Sequence, residues 1–241
     1  MAKFRIEVTL RCPGIFDGLN TLESLLSAAI HEQTGLQREN ALALVPLEKV
    51  GDLWQCSALY YEGFYGNGEE AIIRHRRRSE TGADFYEARQ RRSKFGQWHV
   101  DQKTGDYKTL FNLYKTTLCR RLVWFASGDA DKCQRLLYSL QAIGKRRKQG
   151  YGEIEDVMTF PTDESPVVDA RGMVRRPIPL QHLASVPGAL ASEKQTLELV
   201  AWRHPFWDGE RTVCAVPDSQ YLDFVMKASG IHPAQPKDFF A

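Results

Sequence analysis

Phe4, Ile6, Val8 and Leu10 alternate with Lys3, Arg5, Glu7, Thr9 and Arg11, a period of two that predicts a half-buried strand closed by Pro13-Gly14. After Asp17-Gly18 the period lengthens. Leu22, Leu25, Leu26, Ala29 and Ile30 fall at helical spacing, and Gly35 supplies the stop. Residues 41–53, interrupted by Pro46 and Gly51-Asp52, show no period and read as irregular, while Cys56 to Phe64, rich in Leu and Tyr, reads as a second strand. From Tyr107 to Phe125 the apolar positions Leu110, Tyr114, Leu118, Leu122, Val123, Trp124 and Phe125 indicate a long or bent strand ending at Ser127-Gly128. Asp129 has the chemistry of an N-cap for a second amphipathic helix through Cys133, Leu136, Leu137, Leu140 and Ile143, with Gly144 as its expected C-terminal stop. A strand through Ile154, Val157 and Phe160 follows the next loop.

Strand, helix, strand, insertion, strand, helix, strand is the order of an α+β, ferredoxin-like or RNA-recognition-motif-like unit. It predicts a domain over residues 1–160, with an insertion at 74–107, and a β-rich extension over 161–241. The extension opens with the linker Pro161 to Pro166 and carries strand-like stretches at Leu197 to Trp202 and Val213 to Val216.

Composition mostly excludes. With 43% hydrophobic and 26% charged residues in 241, the chain is ordinary for a globular protein. No apolar run approaches the ~18 residues of a membrane span, and the start has no secretory pattern, so the expected location is the cytoplasm, with no membrane partner. The five cysteines and six histidines are scattered, without C-x-x-C or H-E-x-x-H spacing, so neither a metal nor another cofactor is expected. The absence of a P-loop, a G-x-G-x-x-G and a G-x-S-x-G argues against nucleotide hydrolysis, dinucleotide redox chemistry and serine hydrolysis.

Charge changes the picture. The net +2 is the sum of −5 over residues 1–70, +12 over 71–152 and −5 over 153–241, a basic middle suited to a polyanion. Part of the excess is the loop Lys145-Arg146-Arg147-Lys148-Gln149-Gly150-Tyr151-Gly152, where four cations can neutralise phosphates, the glycines let backbone approach a ligand, and Tyr151 offers a stacking face. Helix capping is the alternative, although one or two cations would suffice for it. A further share lies in the insertion. Arg74, Arg76, Arg77, Arg78, Arg89, Arg91, Arg92 and Lys94 outnumber Glu80, Asp84 and Glu87, with Phe85, Tyr86, Phe95, Trp98, His99 and Tyr107 interleaved. Arginines clamp phosphates and stack on bases, and aromatics complete single-strand recognition; a solvated charged hairpin is the bland alternative. The two basic elements could flank one sheet face. Arg171, Arg175 and Arg176 are basic exceptions in the acidic C-terminal third. Metal-independent RNA cleavage would need a general base such as His31, His75, His99 or a tyrosine, and no catalytic residue is assigned. The cluster Trp202, Phe206 and Trp207 reads first as core packing.

The stretch Ile143-Gly144-Lys145-Arg146-Arg147-Lys148-Gln149-Gly150-Tyr151-Gly152 resembles the glycine-rich basic loop of the RAMP superfamily of CRISPR effector subunits. Within it the chain looks most like the third Csf-series subunits of type IV complexes, members of Cas family five. That likeness is carried by Leu22 to Ala29, Pro46-Leu47-Glu48, Gly51-Asp52-Leu53-Trp54, Ser57-Ala58-Leu59, Arg175-Arg176-Pro177-Ile178-Pro179-Leu180 and Trp202-Arg203-His204-Pro205-Phe206-Trp207. The resemblance implies a non-enzymatic RNA-binding subunit in antiviral or anti-plasmid defence, capping the 5′ handle of the CRISPR RNA and nucleating the backbone of the ribonucleoprotein. Its implied partners are that RNA, backbone RAMP subunits and a large subunit, with target DNA reached indirectly, and residues 74–107 stand where relatives carry a thumb. Two alternatives stay open: a metal-independent endoribonuclease acting on precursor CRISPR RNA, and a stand-alone RNA-recognition-motif-like protein.

Overall fold

The computed structural model describes residues 2–16, 18–74, 90–92, 98–100, 110–203 and 211–222. β1 (Ala2–Leu10) buries the alternate residues Phe4, Ile6 and Val8, as its period requires. α1 (Leu22–Thr34) ends at Gly35, whose left-handed φ of 69° lets its N–H reach the His31 carbonyl. Where no period was legible, the chain forms a short helix, α2 (Arg38–Ala43), and a hairpin of β2 (Lys49–Val50) and β3 (Leu53–Trp54) turning at Gly51-Asp52. Six- and two-residue elements are too short to display a repeat. β4 (Tyr60–Arg74) starts later than expected, because residues 56–59 leave the ladder to hold neighbours: the Ser57 N–H donates to the Phe125 carbonyl at 2.8 Å, and Ser57 Oγ accepts from the Phe125 N–H at 3.0 Å.

β5 (Gln90–Arg92) pairs with β6 (Trp98–Val100), and β7 (Leu110–Gly128) runs for 19 residues. Asp129 caps α3 (Ala130–Ser139) by accepting from the Lys132 N–H at 3.0 Å, and β8 (Ile154–Pro161) follows. The main sheet has the order β4-β7-β1-β8, so β1 lies between two strands far from it in sequence. β1 is antiparallel to both, with Ile6 opposite Trp124 and Thr159 and Val8 opposite Leu122 and Val157. One face packs on α1 and α3 through a core that includes Phe4, Leu22, Leu26, Ile30, Trp124 and Leu137.

The opposite face carries a charged network. Arg5 and Arg121 form ion pairs with Glu7 and Glu62, at 2.7 to 3.2 Å. Burial pushes the Glu62 carboxyl up, but the hydrogen bonds and charges of Arg5 and Arg121 outweigh it and hold the pKa below the usual range. Beside this network the Arg175 guanidinium stacks 3.8 Å from the Phe125 ring centre, over a cluster of Tyr60, Val123 and Phe125.

After β8 come β9 (Ile178–Pro179), α4 (Leu180–Leu183), β10 (Thr196–Val200) and β11 (Thr212–Val216), the strands forming a sheet of order β10-β11-β9. Val167, Val168, Val174, Ile178, Leu183 and Ala215 make its core. The chain divides into two units, residues 1–67 with 117–241, and residues 68–116. Among the described residues no helix is long and apolar enough to cross a membrane, and no group of three or more His, Cys, Asp or Glu could hold a metal ion.

Candidate nucleic-acid interface

The second helix stops at Ser139, short of Gly144. Leu140 and Ile143 are still buried, which is why the apolar spacing mimicked a helix. Gln141 is left-handed at φ 59°, the Ala142 N–H donates back to the Leu140 carbonyl at 2.7 Å, and Ala142 bridges to Glu153. The last turn of α3 carries no basic residue, and Lys145 lies beyond the reach of its dipole. Capping therefore does not account for the four cations.

The loop is fixed instead by its ends. The Ile143 N–H donates to the Gly152 carbonyl at 2.8 Å, the Lys145 N–H to the Ile15 carbonyl at 2.8 Å, and the Gly152 N–H to the Pro13 carbonyl at 3.0 Å. Cys12 Sγ donates to the Gly150 carbonyl at 2.8 Å and accepts from the Glu153 N–H at 3.3 Å. Between these anchors Arg146 adopts φ 59°, a 3-10 turn spans Arg147–Gln149, and Gly150 closes it at φ 88°. Lys145, Lys148 and Gln149 are exposed, Arg146, Arg147 and Tyr151 half-buried. Arg147 pairs with Glu32 of α1 at 2.5 Å.

Gly152 is where the backbone comes closest: a Cβ there would stand 1.9 Å from the Ile143 carbonyl oxygen, whereas a Cβ on Gly150 meets nothing within 4 Å. Both have positive φ, so alanine costs each about 1–2 kcal/mol. Gly152→Ala adds a collision with backbone, and thermal unfolding should show it lowering the melting temperature well beyond Gly150→Ala; equal losses would mean the close approach does not matter.

The remaining expected RNA ligands lie in residues 68–116. Arg74 ends β4; Arg91 stands opposite His99 and Arg92 opposite Trp98 in the β5–β6 register, so the hairpin brings these four positions together. Arg76, Arg77, Arg78, Arg89 and Lys94 lie outside the described residues. The same is true of His75, Phe206 and Trp207, while Trp202 is buried in a small core with Cys214 and Val216, as packing predicts. The basic exceptions in the C-terminal third are engaged within the chain. Arg171 bridges Asp169 and Asp218, Arg175 is buried against Phe125 and pairs with Glu164, and Arg176 is buried beside Glu23. All three pair with carboxylates of the same chain, Arg171 while staying largely exposed.

Sequence reasoning also missed a cleft of about 700 Å³ beside the loop, bounded by Lys145 and Arg147, the first turns of α1, Arg38, and the β10 stretch Glu198–Ala201 with Arg211. Its one legible signal is the spacing Thr21, Ser24, Ser27, His31, a small polar stripe beside the apolar one of α1. His31 is engaged through Nδ1, 2.6 Å from the Leu36 carbonyl.

The chain is thus a mixed α and β protein with antiparallel sheets and an anchored cationic loop. The family model for "CRISPR type IV associated protein Csf3" matches residues 21–217, which takes in α1, the main sheet from β4 onward, the loop and the C-terminal sheet. The chain belongs to this family. No curated protein matches the sequence. Among solved structures it is similar to a chain of "Cryo-EM structure of the Type III-B Cmr-beta bound to cognate target RNA", at 12% identity and a TM-score of 0.34, covering 66% of this chain and 61% of that one, so that it spans less than two thirds of that relative.

Proposed function

We propose that the chain is a non-catalytic, CRISPR-RNA-binding subunit of a type IV effector complex, built on a ferredoxin-like RAMP unit and capping the 5′ handle of the guide. Family membership supports the complex, and the connectivity β1-α1-β4, β7-α3-β8 in the order β4-β7-β1-β8 supports the unit. The observation that carries RNA binding is the loop, whose four consecutive cations sit between glycine-permitted anchors and beyond the last turn of α3. A phosphate backbone gains from such a preset row because its position does not have to be ordered on binding. The sheet face away from α1 and α3 carries the Arg5, Glu7, Glu62 and Arg121 network and Arg175 on Phe125, which favours an RNA strand running over the loop.

Co-expression with the other subunits of its complex should recover a uniform guide RNA, and incubating the purified chain with repeat RNA in a chelator should leave that RNA intact. Heterogeneous cellular RNA would defeat the CRISPR assignment; specific cleavage would replace the binding subunit with an endoribonuclease.

A further inference from the structure

Two residues that line the cleft beside the loop carry buried hydroxyls without a hydrogen-bond partner. Thr21, the residue preceding α1, is fully buried, yet its side chain makes no capping bond; Ser27, one turn and a half further along, is 1% exposed. The oxygens of both are buried without a hydrogen bond, although both residues line the cleft. A buried hydroxyl left unpaired costs free energy, and such groups are rare unless a ligand or ion satisfies them. The α1 N-terminus adds its partial positive charge on the same side.

The other walls specify what would satisfy them. Lys145, Arg147, Arg38 and Arg211 bring cations, Glu198 and Glu32 acceptors, and Leu25, Leu199 and Val200 apolar surface. Cations select a phosphate, the apolar wall a base, and hydroxyls and carboxylates the polar edges of a base or ribose. About 700 Å³ is within the range of pockets that hold molecules of this size. We infer that the cleft seats one nucleotide extruded from the bound strand, its phosphate toward Lys145 and its polar edges satisfied by Thr21 and Ser27. The inference rests on the RNA-binding reading.

Thr21→Val and Ser27→Ala remove the hydroxyls with little change of shape, and since neither oxygen has a partner, the melting temperature should hold or rise. With AMP titrated into the full-length chain and followed by NMR, each substitution should weaken binding about tenfold, and a saturating single-stranded RNA should displace AMP from the parent protein. Failure of AMP to bind, or undiminished binding by the double variant, would overturn the cleft assignment even if RNA still bound through the loop with its full salt dependence. AMP that stays bound under saturating RNA would overturn its assignment to the strand. AMP binding with no RNA binding would instead defeat the RNA-binding reading and leave the cleft a free-nucleotide site.

Discussion

Replacing Lys145, Arg146, Arg147 and Lys148 together with alanine is expected to flatten the slope of log RNA affinity against log salt by roughly 0.7 per lost phosphate contact, so by up to about 3. Binding at low salt falls most, since counterion release is where these cations act. The fold should scarcely notice. The loop's anchors are backbone groups of Ile143, Lys145 and Gly152 together with Cys12 Sγ, none of which the substitutions remove. The ion pair of Arg147 with Glu32 that they delete is more than a third exposed on both sides and contributes at most about 1 kcal/mol. Filter binding or fluorescence anisotropy across a salt series reads the slope, and thermal unfolding reads the fold. An unchanged slope with normal melting would show that the loop does not meet phosphate.

The second large effect is on stability. Arg176 is buried, donating to the Glu23 carboxylate at 2.6 Å and to the carbonyl of Trp54 at 2.9 Å. Glu23, also buried, accepts from Cys56 Sγ at 2.9 Å; burial first and the Glu23 charge second push that thiol well above its ordinary pKa, so it stays a donor. Removing either charge strands the other away from water. Glu23→Ala or Arg176→Ala should each cost about 3–5 kcal/mol in urea unfolding, a large share of the 5–15 kcal/mol typical of a domain. Glu23→Leu with Arg176→Met should recover most of that loss, because the pair pays to be desolvated and Arg176 Nε has no partner. A double variant as unstable as the singles would mean the cluster contributes more than mutual neutralisation.

The strongly periodic elements were legible. β1, α1 and α3 bury the residues their spacing points inward, whereas in β7 the run Leu122–Phe125 is buried and Leu118 is exposed; the stop at Gly35 and the cap at Asp129 are local chemistry that tertiary context left alone. What failed was inference from period to conformation at Leu140–Ile143, where two apolar residues stay buried after the helix has unwound, because Gln141 turns left-handed and Gly152 takes the Ile143 N–H. The site divides the same way. A run of four cations is visible in any sequence, but Thr21, Ser27, Arg38 and Arg211 converge only through folding, 190 residues separating the first from the last. Local sequence likewise cannot tell a cation aimed at a ligand from one aimed inward, so Arg175 and Arg176 stood out only as basic exceptions, and their carboxylate and aromatic partners became visible in the fold.

The Glu23–Arg176 pair joins residues 153 positions apart, and that distance has a consequence during synthesis. At roughly 5–20 residues per second a ribosome needs on the order of 8–30 seconds to travel from the codon of one to the codon of the other. Throughout that interval the first turn of α1 holds a carboxylate that cannot be buried, and the N-terminal strand and helix emerge without the residue that lets them close. The nascent amino-terminal segment is therefore expected to stay open until Arg176 has been made, so that docking of α1 in its final seat is a late event, governed by arrival of that residue.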